Sequence, residues 1–266
     1  MQTHQRIVAS PSGVSLGVEI AGEGAPVMLV HGTSSGRRRW LPVLDKLPGD
    51  RAYWMLDRRG RGLSGDQARY ALSDEVADIA AVAEAAKAEE IVAHSYGAIL
   101  ALEAALELPR LRRIVLYEPP VPVPPCTPDP VDEANIAAIG AEVEAGRRDE
   151  AVTIFMRDVL KMPPASIAAV RGGADWQARV DLAATLPREL AAVRAYRFQP
   201  EKFRNCRFAV LLLLGSDSPK RYVDAMQMLA EGLPNARIER LEGQRHNAIS
   251  EAPDLFSSAV GRFLQD

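Results

Sequence analysis

The chain has 266 residues, which is enough for one large α/β domain with a sizeable core or for two small domains. Hydrophobic residues make up 47%, an ordinary share for a globular protein, and the net charge of -3 gives no reason to expect nucleic acid or an anionic membrane as a partner. The longest unbroken apolar stretch, residues 208–214, is too short to span a bilayer.

The N-terminal segment and the two cysteines bear on the cellular compartment. Residues 1–13 are polar and lack the apolar core of a signal peptide, so we expect a cytoplasmic protein. Cys126 and Cys206 lie far apart and do not have the spacing of metal ligands. We interpret them as reduced thiols, with a disulfide between them as the alternative.

The first half of the chain alternates apolar strands with amphipathic helices. The pattern predicts strands at residues 6–9, 14–20, 26–30, 52–56, 91–93 and 114–117, the first two forming a hairpin. Between them it predicts helices at residues 41–47, 74–88 and 98–108. Such alternation favours a mostly parallel sheet covered by helices on both faces.

A proline-rich segment then interrupts the alternation. Residues 119–130 contain seven prolines, a density that excludes a helix or a central strand. Residues 131–196 are helical in pattern, and afterwards the chain returns to strands at 208–214 and 237–241 and helices at 222–233 and 253–264. We predict an α/β fold with an eight-stranded, mostly parallel sheet, formed by residues 1–118 and 201–266. Residues 119–200 are predicted to be a helical insertion after the sixth strand.

The segment Ala93-His94-Ser95-Tyr96-Gly97 lies at the junction of a predicted strand and a predicted helix. A serine at so tight a corner needs small residues two positions away on each side, and Ala93 and Gly97 meet that need. The corner would lift the Ser95 hydroxyl above the sheet and direct the backbone N–H of Tyr96 into the same space. Any strand-to-helix junction can contain a serine, so the motif alone does not establish a nucleophile.

A serine hydroxyl needs a general base, and the chain has four histidines. His4 is near the terminus, His31 follows the third predicted strand, and His94 is expected to point away from the serine. His246 lies in a loop after the last predicted strand, at the carboxyl edge of the sheet where Ser95 also lies. His246 is therefore the candidate base.

Four stretches resemble, in order, the motifs of the α/β-hydrolase superfamily, in its serine-nucleophile form with a helical cap. They are residues 30–33, 57–64, 93–97 and 243–246, and together they extend over nearly the whole chain. The resemblance implies that Ser95 is the nucleophile and His246 the base, that the backbone N–H groups of Thr33 and Tyr96 form an oxyanion hole, and that the helical insertion is a cap.

Residues 60–65 also match the Gly-x-Gly-x-x-Gly fingerprint of dinucleotide sites. That fingerprint must open a helix, whereas residues 66–70 have no apolar helical face. We therefore interpret the segment as a turn beneath the active site that the resemblance implies.

The carboxylate that would orient His246 is less evident. In most of the superfamily it lies three residues after a glycine that ends the strand following the cap, and that position here is Ser218. Asp217 is one residue early, and a shift of one residue in an extended segment turns a side chain to the opposite face. Glu118 ends the sixth predicted strand, where haloalkane dehalogenases carry their acid, and a histidine partner would offset its burial. We prefer Glu118 and keep Asp217 as the alternative.

Several side chains are candidates for lining a substrate pocket. We assign His31, Trp40 and Trp176 to it, although tryptophans at helical spacing are equally typical of a core. The arginine-rich segments 37–39 and 58–61 could attract an anionic substrate, but we expect solvated surface groups there.

The predicted activity is hydrolysis of a carboxylic ester or related acyl compound through an acyl-enzyme on Ser95, as in the carboxylesterase-like EC 3.1.1 class. A serine rather than an aspartate at the corner speaks against haloalkane dehalogenase or epoxide hydrolase chemistry. The alternatives are a carbon–carbon bond hydrolase or lactonase, a non-hydrolytic lyase or cyclase, and a ligand-binding receptor.

No metal or cofactor is implied. We expect a small-molecule substrate and no nucleic acid or membrane partner, and we leave a homodimer open.

Overall fold

The computed structural model describes residues 2–124 and 131–265. Cys126, which we interpret as a reduced thiol, and the end of the proline-rich segment lie outside the described residues. Cys206 is a free, partly buried thiol whose pKa is raised by burial.

The strands form one sheet. Within the described residues they are β1 Thr3–Ala9, β2 Ser15–Ala21, β3 Ala25–Val30, β4 Arg51–Leu56, β5 Glu90–His94, β6 Arg113–Tyr117, β7 Ala209–Gly215 and β8 Ala236–Leu241. Their spatial order is β1-β2-β4-β3-β5-β6-β7-β8. The pairs β1–β2 and β2–β4 are antiparallel, and every other neighbouring pair is parallel. The predicted mostly parallel, eight-stranded α/β sheet is confirmed.

The central strands are recognisable in the sequence because both of their faces are covered. Every residue of β5 is buried, and so is every residue of β7 except the first. Strands buried on both faces are continuously apolar rather than alternating. Ala93 lies in the middle of this region, paired with Val30 on one side and Leu116 on the other.

Helices connect the strands and fill the insertion. They are α1 Leu41–Leu44, α2 Leu72–Ala86, α3 Tyr96–Ala104, α4 Glu133–Glu144, α5 Arg148–Ile154, α6 Pro164–Arg171, α7 Trp176–Asp181, α8 Leu186–Ala195, α9 Pro200–Phe203, α10 Lys220–Gly232, α11 Ala248–Glu251 and α12 Pro253–Gln265. Short 3₁₀ turns occur at Arg37–Trp40, Ala105–Glu107 and Ala183–Thr185, and a π turn at Phe155–Val159. Among the described residues, no helix is both long enough and apolar enough to cross a membrane.

A large apolar cluster lies between the sheet and the helices α1, α11 and α12. Its aromatic members include Trp40, Tyr117, Phe256 and Phe263, all buried. The rings of Trp40 and Phe256 lie with their centroids 6.4 Å apart, and those of Tyr117 and Phe256 5.5 Å apart. Complete burial of a side chain such as Phe256 stabilises the fold by about 1.5–3 kcal/mol. This cluster therefore anchors β6, whose end carries a site residue described below.

The chain divides into two compact units. The larger consists of the described parts of Met1–Gly32, Gly36–Val123 and Arg197–Asp266, and it contains the whole sheet. The smaller consists of Thr33–Ser35 and the described part of Pro124–Tyr196, and it contains α4 to α8. The longer segment of the smaller unit falls within residues 119–200, whereas Thr33–Ser35 belongs to the predicted core segment 1–118, so the predicted domain limits stay a prediction.

The smaller unit has a hydrophobic core of its own. Buried members are Ile139, Ala151, Val152, Ile154, Phe155, Met156, Val159, Ile167, Ala183, Leu186 and Leu190. Asp132 caps α4 by accepting a hydrogen bond of 2.7 Å from the backbone N–H of Asn135. Within the same unit, Nη1 of Arg179 donates to the backbone oxygen of Ser34 at 2.9 Å, which ties the Thr33–Ser35 segment to α7.

Candidate active site

Ser95 occupies the corner between β5 and α3. Its backbone has φ 56° and ψ -130°, a conformation that L residues rarely adopt and that stores strain. Two backbone hydrogen bonds hold the corner: the N–H of Ser95 donates to the oxygen of Tyr117 at 2.9 Å, and the N–H of Ala98 donates to the oxygen of Ser95 at 2.8 Å. The corner is therefore fixed by both the neighbouring strand and the helix that follows.

Small residues make room for this corner. A Cβ atom on Gly97 would lie 2.3 Å from the backbone oxygen of His31, and one on Gly32 would lie 2.7 Å from Cβ of Ser95. Both distances are too short for any side chain. The methyl group of Ala93 is accommodated and fully buried, and its backbone is paired with a strand on each side. The structure thus gives the steric reason for the small residue on the helix side of the serine.

His246 and Glu118 meet at the carboxyl edge of the sheet. Nδ1 of His246 lies 2.7 Å from Oε2 of Glu118, so the ring N–H donates to the carboxylate. Glu118 directly follows β6 with φ 45°, and its side chain is completely buried. Its other oxygen, Oε1, accepts from the backbone N–H of Gly215 at 2.8 Å and from the hydroxyl of Ser218. These three donors satisfy a carboxylate that would otherwise be costly to bury.

Asp217 does not take part in this arrangement. Its side chain is exposed and accepts a hydrogen bond of 2.9 Å from the neighbouring Ser216 hydroxyl. Its backbone instead binds the loop that leads to His246. The N–H of Asp217 donates to the oxygen of Gln244 at 3.0 Å, and the oxygen of Asp217 accepts from Nε of Arg245 at 2.9 Å. Of the two predicted acids, the structure brings only Glu118 to His246.

Two further rings flank His246. The ring of Tyr222 stacks on it with centroids 4.8 Å apart, and the ring of His94 lies 4.6 Å away by the same measure. Nε2 of His94 lies 3.0 Å from the backbone oxygen of His246, so His94 must carry a proton there. Burial first, then the neighbouring His246 and Arg39, lower the pKa of His94 well below its usual value. His94 therefore acts as a neutral donor that holds the His246 loop beside the Ser95 corner.

Sequence reasoning missed these two neighbours. The sequence indicates that His94 points away from the serine, but it does not indicate that its ring meets a loop from the far end of the chain. Tyr222 lies on the buried face of α10, so the sequence could indicate only that its side chain is buried. Nothing in the sequence indicates that it stacks on a histidine.

His31, which the sequence analysis assigns to the substrate pocket, is completely buried, and a role for it in binding substrate stays a prediction. Its Nδ1 lies 2.9 Å from the backbone oxygen of Gly32, and its Nε2 accepts from the backbone N–H of Arg58 at 3.2 Å. Burial, with smaller contributions from Arg61 and Arg58, lowers the pKa of His31 well below its usual value. The ring is a neutral link between two loops of the larger unit.

The two predicted pocket tryptophans also take part in hydrophobic packing. Trp40 is fully buried in the large apolar cluster, and a role for it in binding substrate stays a prediction. Trp176 is partly buried and packs against the core of the smaller unit, with Cζ of Arg171 5.2 Å from its ring centroid. A role for Trp176 in binding substrate stays a prediction.

The predicted oxyanion residues lie in two different segments, Tyr96 at the start of a helix and Thr33 in a loop. Tyr96 is the first residue of α3, so its own backbone N–H has no acceptor within the helix. Thr33 directly follows Gly32, which packs against Ser95. The described residues contain no group of three or more histidine, cysteine, aspartate or glutamate side chains that could hold a metal ion.

The fold and this site define a class of protein. A mostly parallel sheet carries a serine at the strained corner after β5 and a histidine–carboxylate pair at the same edge. A model of the alpha/beta hydrolase family matches residues 27–259, and the chain belongs to that family.

Three relatives are informative. The crystal structure of an alpha/beta hydrolase from Sphaerobacter thermophilus has 33% sequence identity and a TM-score of 0.86, over 97% of this chain and 100% of that one. The provisionally named carbamate hydrolase RutD of Azorhizobium caulinodans is 25% identical over 91% of this chain and 92% of its own. N-formylmaleamate deformylase of Pseudomonas putida is 33% identical over 47% of this chain and 52% of its own. The family and these names support hydrolase activity.

Proposed function

We propose that the protein hydrolyses a carboxylic ester or a related small acyl compound through an acyl-enzyme on Ser95. The observation that carries the proposal is the hydrogen bond of 2.7 Å between Nδ1 of His246 and Oε2 of Glu118. A carboxylate bonded at Nδ1 leaves the lone pair of the neutral imidazole on Nε2, the nitrogen that then acts as the base. Membership of the family supports hydrolysis in general. The roles of Ser95 as nucleophile, His246 as base and Glu118 as its carboxylate partner are what we propose in addition.

The reaction divides into two halves. His246 takes the hydroxyl proton as Ser95 attacks the carbonyl carbon, and the proton then passes to the leaving alcohol as the C–O bond breaks. In the second half His246 takes a proton from water, which attacks the acyl carbon. The bond from that carbon to Oγ of Ser95 then breaks, His246 returns the proton to Oγ, and the acid is released. Glu118 stabilises the imidazolium that forms in each half, and its bonds to Gly215 and Ser218 keep it in place.

Negative charge develops on the carbonyl oxygen of the substrate in both halves. We assign its stabilisation to the backbone N–H groups of Tyr96 and Thr33. A donor fixed in advance at such a position is worth about 10²–10³ in kcat. The first turn of α3 contributes further, because a helix N-terminus favours negative charge.

Carbon–nitrogen bonds are a second candidate, favoured by two relatives whose names denote a carbamate hydrolase and an N-formyl deformylase. The same residues would serve. The difference lies in the leaving group, because an amine must receive the His246 proton before it can depart, whereas a p-nitrophenolate leaves without one.

The test is turnover of p-nitrophenyl esters of short to medium chain length, with an aryl carbamate and an N-formyl amide assayed in parallel. Wild type should hydrolyse at least one of these, and Ser95→Ala should lower kcat by about 10⁴ or more. Ser257→Ala, which removes the hydroxyl of a buried serine on α12, is the matched control and should retain activity. Folded wild type that turns over none of them, or Ser95→Ala with undiminished turnover, would contradict the proposal.

A further inference from the structure

Arg58 is buried and packs against the ring of Tyr96, the residue that follows Ser95. It lies in the turn after β4, where we expected solvated arginines, but its side chain is only 1% exposed. Its Nε and Nη2 donate to Oε2 and Oε1 of Glu75 on α2, at 2.8 and 2.7 Å. This is a bidentate pair between two buried charges, which fixes the plane of the guanidinium.

The fixed guanidinium contacts the residue next to the serine. Cζ of Arg58 lies 4.8 Å from the ring centroid of Tyr96, a cation–π distance. The Tyr96 hydroxyl lies 2.6 Å from that of Tyr70, which in turn donates to Oε1 of Glu75 at 2.7 Å. Because Tyr70 gives its proton to the carboxylate, the Tyr96 hydroxyl must donate to Tyr70. Arg58, Glu75, Tyr70 and Tyr96 therefore form a closed ring of contacts, which we call the Arg58 ring.

The backbone of Arg58 reaches the other oxyanion loop. Its N–H donates to Nε2 of His31, which leaves the proton of the neutral imidazole on Nδ1 and makes that atom the donor to the oxygen of Gly32. The low pKa of His31 agrees with this neutral form. The oxygen of Gly32 and the N–H of Thr33 belong to one planar trans peptide group, so holding the oxygen directs the N–H the opposite way.

We propose that Arg58 is a positioning residue for both N–H groups of the oxyanion hole. Its side chain holds Tyr96 through the Arg58 ring, and its backbone holds the Gly32–Thr33 peptide through His31. The inference rests on the proposed function, since it concerns the charge that forms during acyl transfer. Arg58 acts through its neighbours and is not itself assigned a contact with substrate.

The adjacent arginine supplies a matched control. Arg59 is also completely buried, and its Nε and Nη2 donate to the two carboxylate oxygens of Asp78 on α2 at 2.7 and 2.9 Å. Replacing a buried ion pair by apolar residues of similar volume is often tolerated, whereas removing one partner is not. The paired variants are therefore Arg58→Met with Glu75→Leu, and Arg59→Met with Asp78→Leu. Tyr70→Phe opens the Arg58 ring and leaves the ion pair intact.

The readouts are kcat and KM for the best ester, and the inhibition constant of an alkyl boronic acid. A boronic acid forms a tetrahedral adduct with a serine oxygen and so reports on the oxyanion hole, while KM reports on substrate binding. The Arg58/Glu75 variant should lose about 10- to 100-fold in kcat, with a similar loss of boronic acid affinity and little change in KM. Tyr70→Phe should lose about 3- to 10-fold. The Arg59/Asp78 variant should keep wild-type kcat even where its Tm falls.

Equal kcat and equal boronic acid affinity in the two paired variants would overturn the inference, whether both are active or both impaired. If the Arg58/Glu75 variant does not fold, Tyr70→Phe decides, and wild-type values for it would overturn the inference. A folded wild type without ester turnover and without a boronic acid adduct on Ser95 would overturn the proposed function as well. An active wild type with insensitive variants would overturn only the positioning role.

Discussion

Nδ1 of His246 donates to Oε2 of Glu118 across 2.7 Å, although the two residues are 128 positions apart in the chain. Glu118 follows β6 and His246 follows β8, with β7 between them in the sheet. Parallel strands bring their carboxyl ends to one edge, which is why residues so distant in sequence can form one site. Gly215 at the end of β7 lets the loop that leads to His246 pack closely against this strand end. A Cβ at Gly215 would lie 2.3 Å from the oxygen of Gln244 in that loop.

The first prediction separates the two candidate acids. Glu118→Gln should lower kcat by about 10³–10⁴, because the amide oxygen accepts from Gly215 and Ser218 and the NH2 group then faces Nδ1, where it favours the wrong tautomer and opposes the imidazolium. Asp217→Asn should stay within about twofold of wild type, because the Asp217 carboxylate is exposed and bonded only to Ser216 among the described residues. Steady-state kinetics on the best ester measure both. Equal losses in the two variants would contradict the assignment of the acid.

The second prediction concerns the ring that stacks on His246. The plane of the Tyr222 ring is inclined by 21° to the imidazole of His246. Tyr222→Leu removes this stacked ring and should lower kcat about 10-fold, because the imidazole is then held less firmly in its reactive position. Tyr222→Phe keeps the ring and is the matched control, expected within about twofold of wild type. A leucine variant with wild-type kcat would show that the stacking does not position His246.

Local patterns were sufficient for the sheet and the serine corner. Continuous apolar runs are typical of strands buried on both faces, and the small residues around Ser95 reflect a steric demand within five residues of chain. The acid required long-range information. Ser218 occupies the position that the resemblance assigns to the acid, and in the structure its hydroxyl donates to Glu118. The sequence pattern could not show that contact, which links two strand ends.

Burial was the property that sequence reasoning judged least well. His31 and Trp40 come after β3, in the same stretch of chain as the predicted oxyanion residue Thr33, and packing buries both side chains. The buried arginine pairs did leave a signal. Glu75 and Asp78 share a helical face with Ile79 and Val82, since their spacing is that of a buried stripe. Two acids within an apolar stripe indicate buried partners, which here are Arg58 and Arg59.

The third prediction is a pH dependence of stability caused by His94. Burial lowers its pKa well below 6.5, so near that pH the unfolded chain takes up a proton that the folded chain does not. The unfolded state then binds more protons, and stability falls as the pH drops below about 6.5. Between about pH 6.5 and 5.5, wild type should lose about 1 kcal/mol of unfolding free energy that His94→Asn does not lose.

Urea unfolding at the two pH values measures this difference. His4→Asn, which replaces an exposed histidine on β1, is the control and should keep the wild-type dependence. A wild-type dependence in His94→Asn would contradict the neutral state of the buried ring.

The fourth prediction concerns the tight packing at the corner. Gly97→Ala places a Cβ 2.3 Å from the oxygen of His31, and relieving this overlap should cost about 1–3 kcal/mol of stability. Thermal unfolding should show a lower Tm, by about 2–4 °C for each kcal/mol. Gly49→Ala adds the same methyl group where nothing lies within 4 Å, and it should leave Tm nearly unchanged. Equal Tm values for the two variants would contradict the close approach of α3 to β3.

The acyl-enzyme on Ser95 is the central claim, and peptide mass mapping of an acid-quenched reaction tests it most directly. Wild type mixed with its best p-nitrophenyl ester and quenched before steady state should carry the acyl mass on the peptide that contains Ser95. Ser95→Ala should carry none. Turnover by wild type with no acyl group on that peptide, or with the group on another residue, would contradict the account.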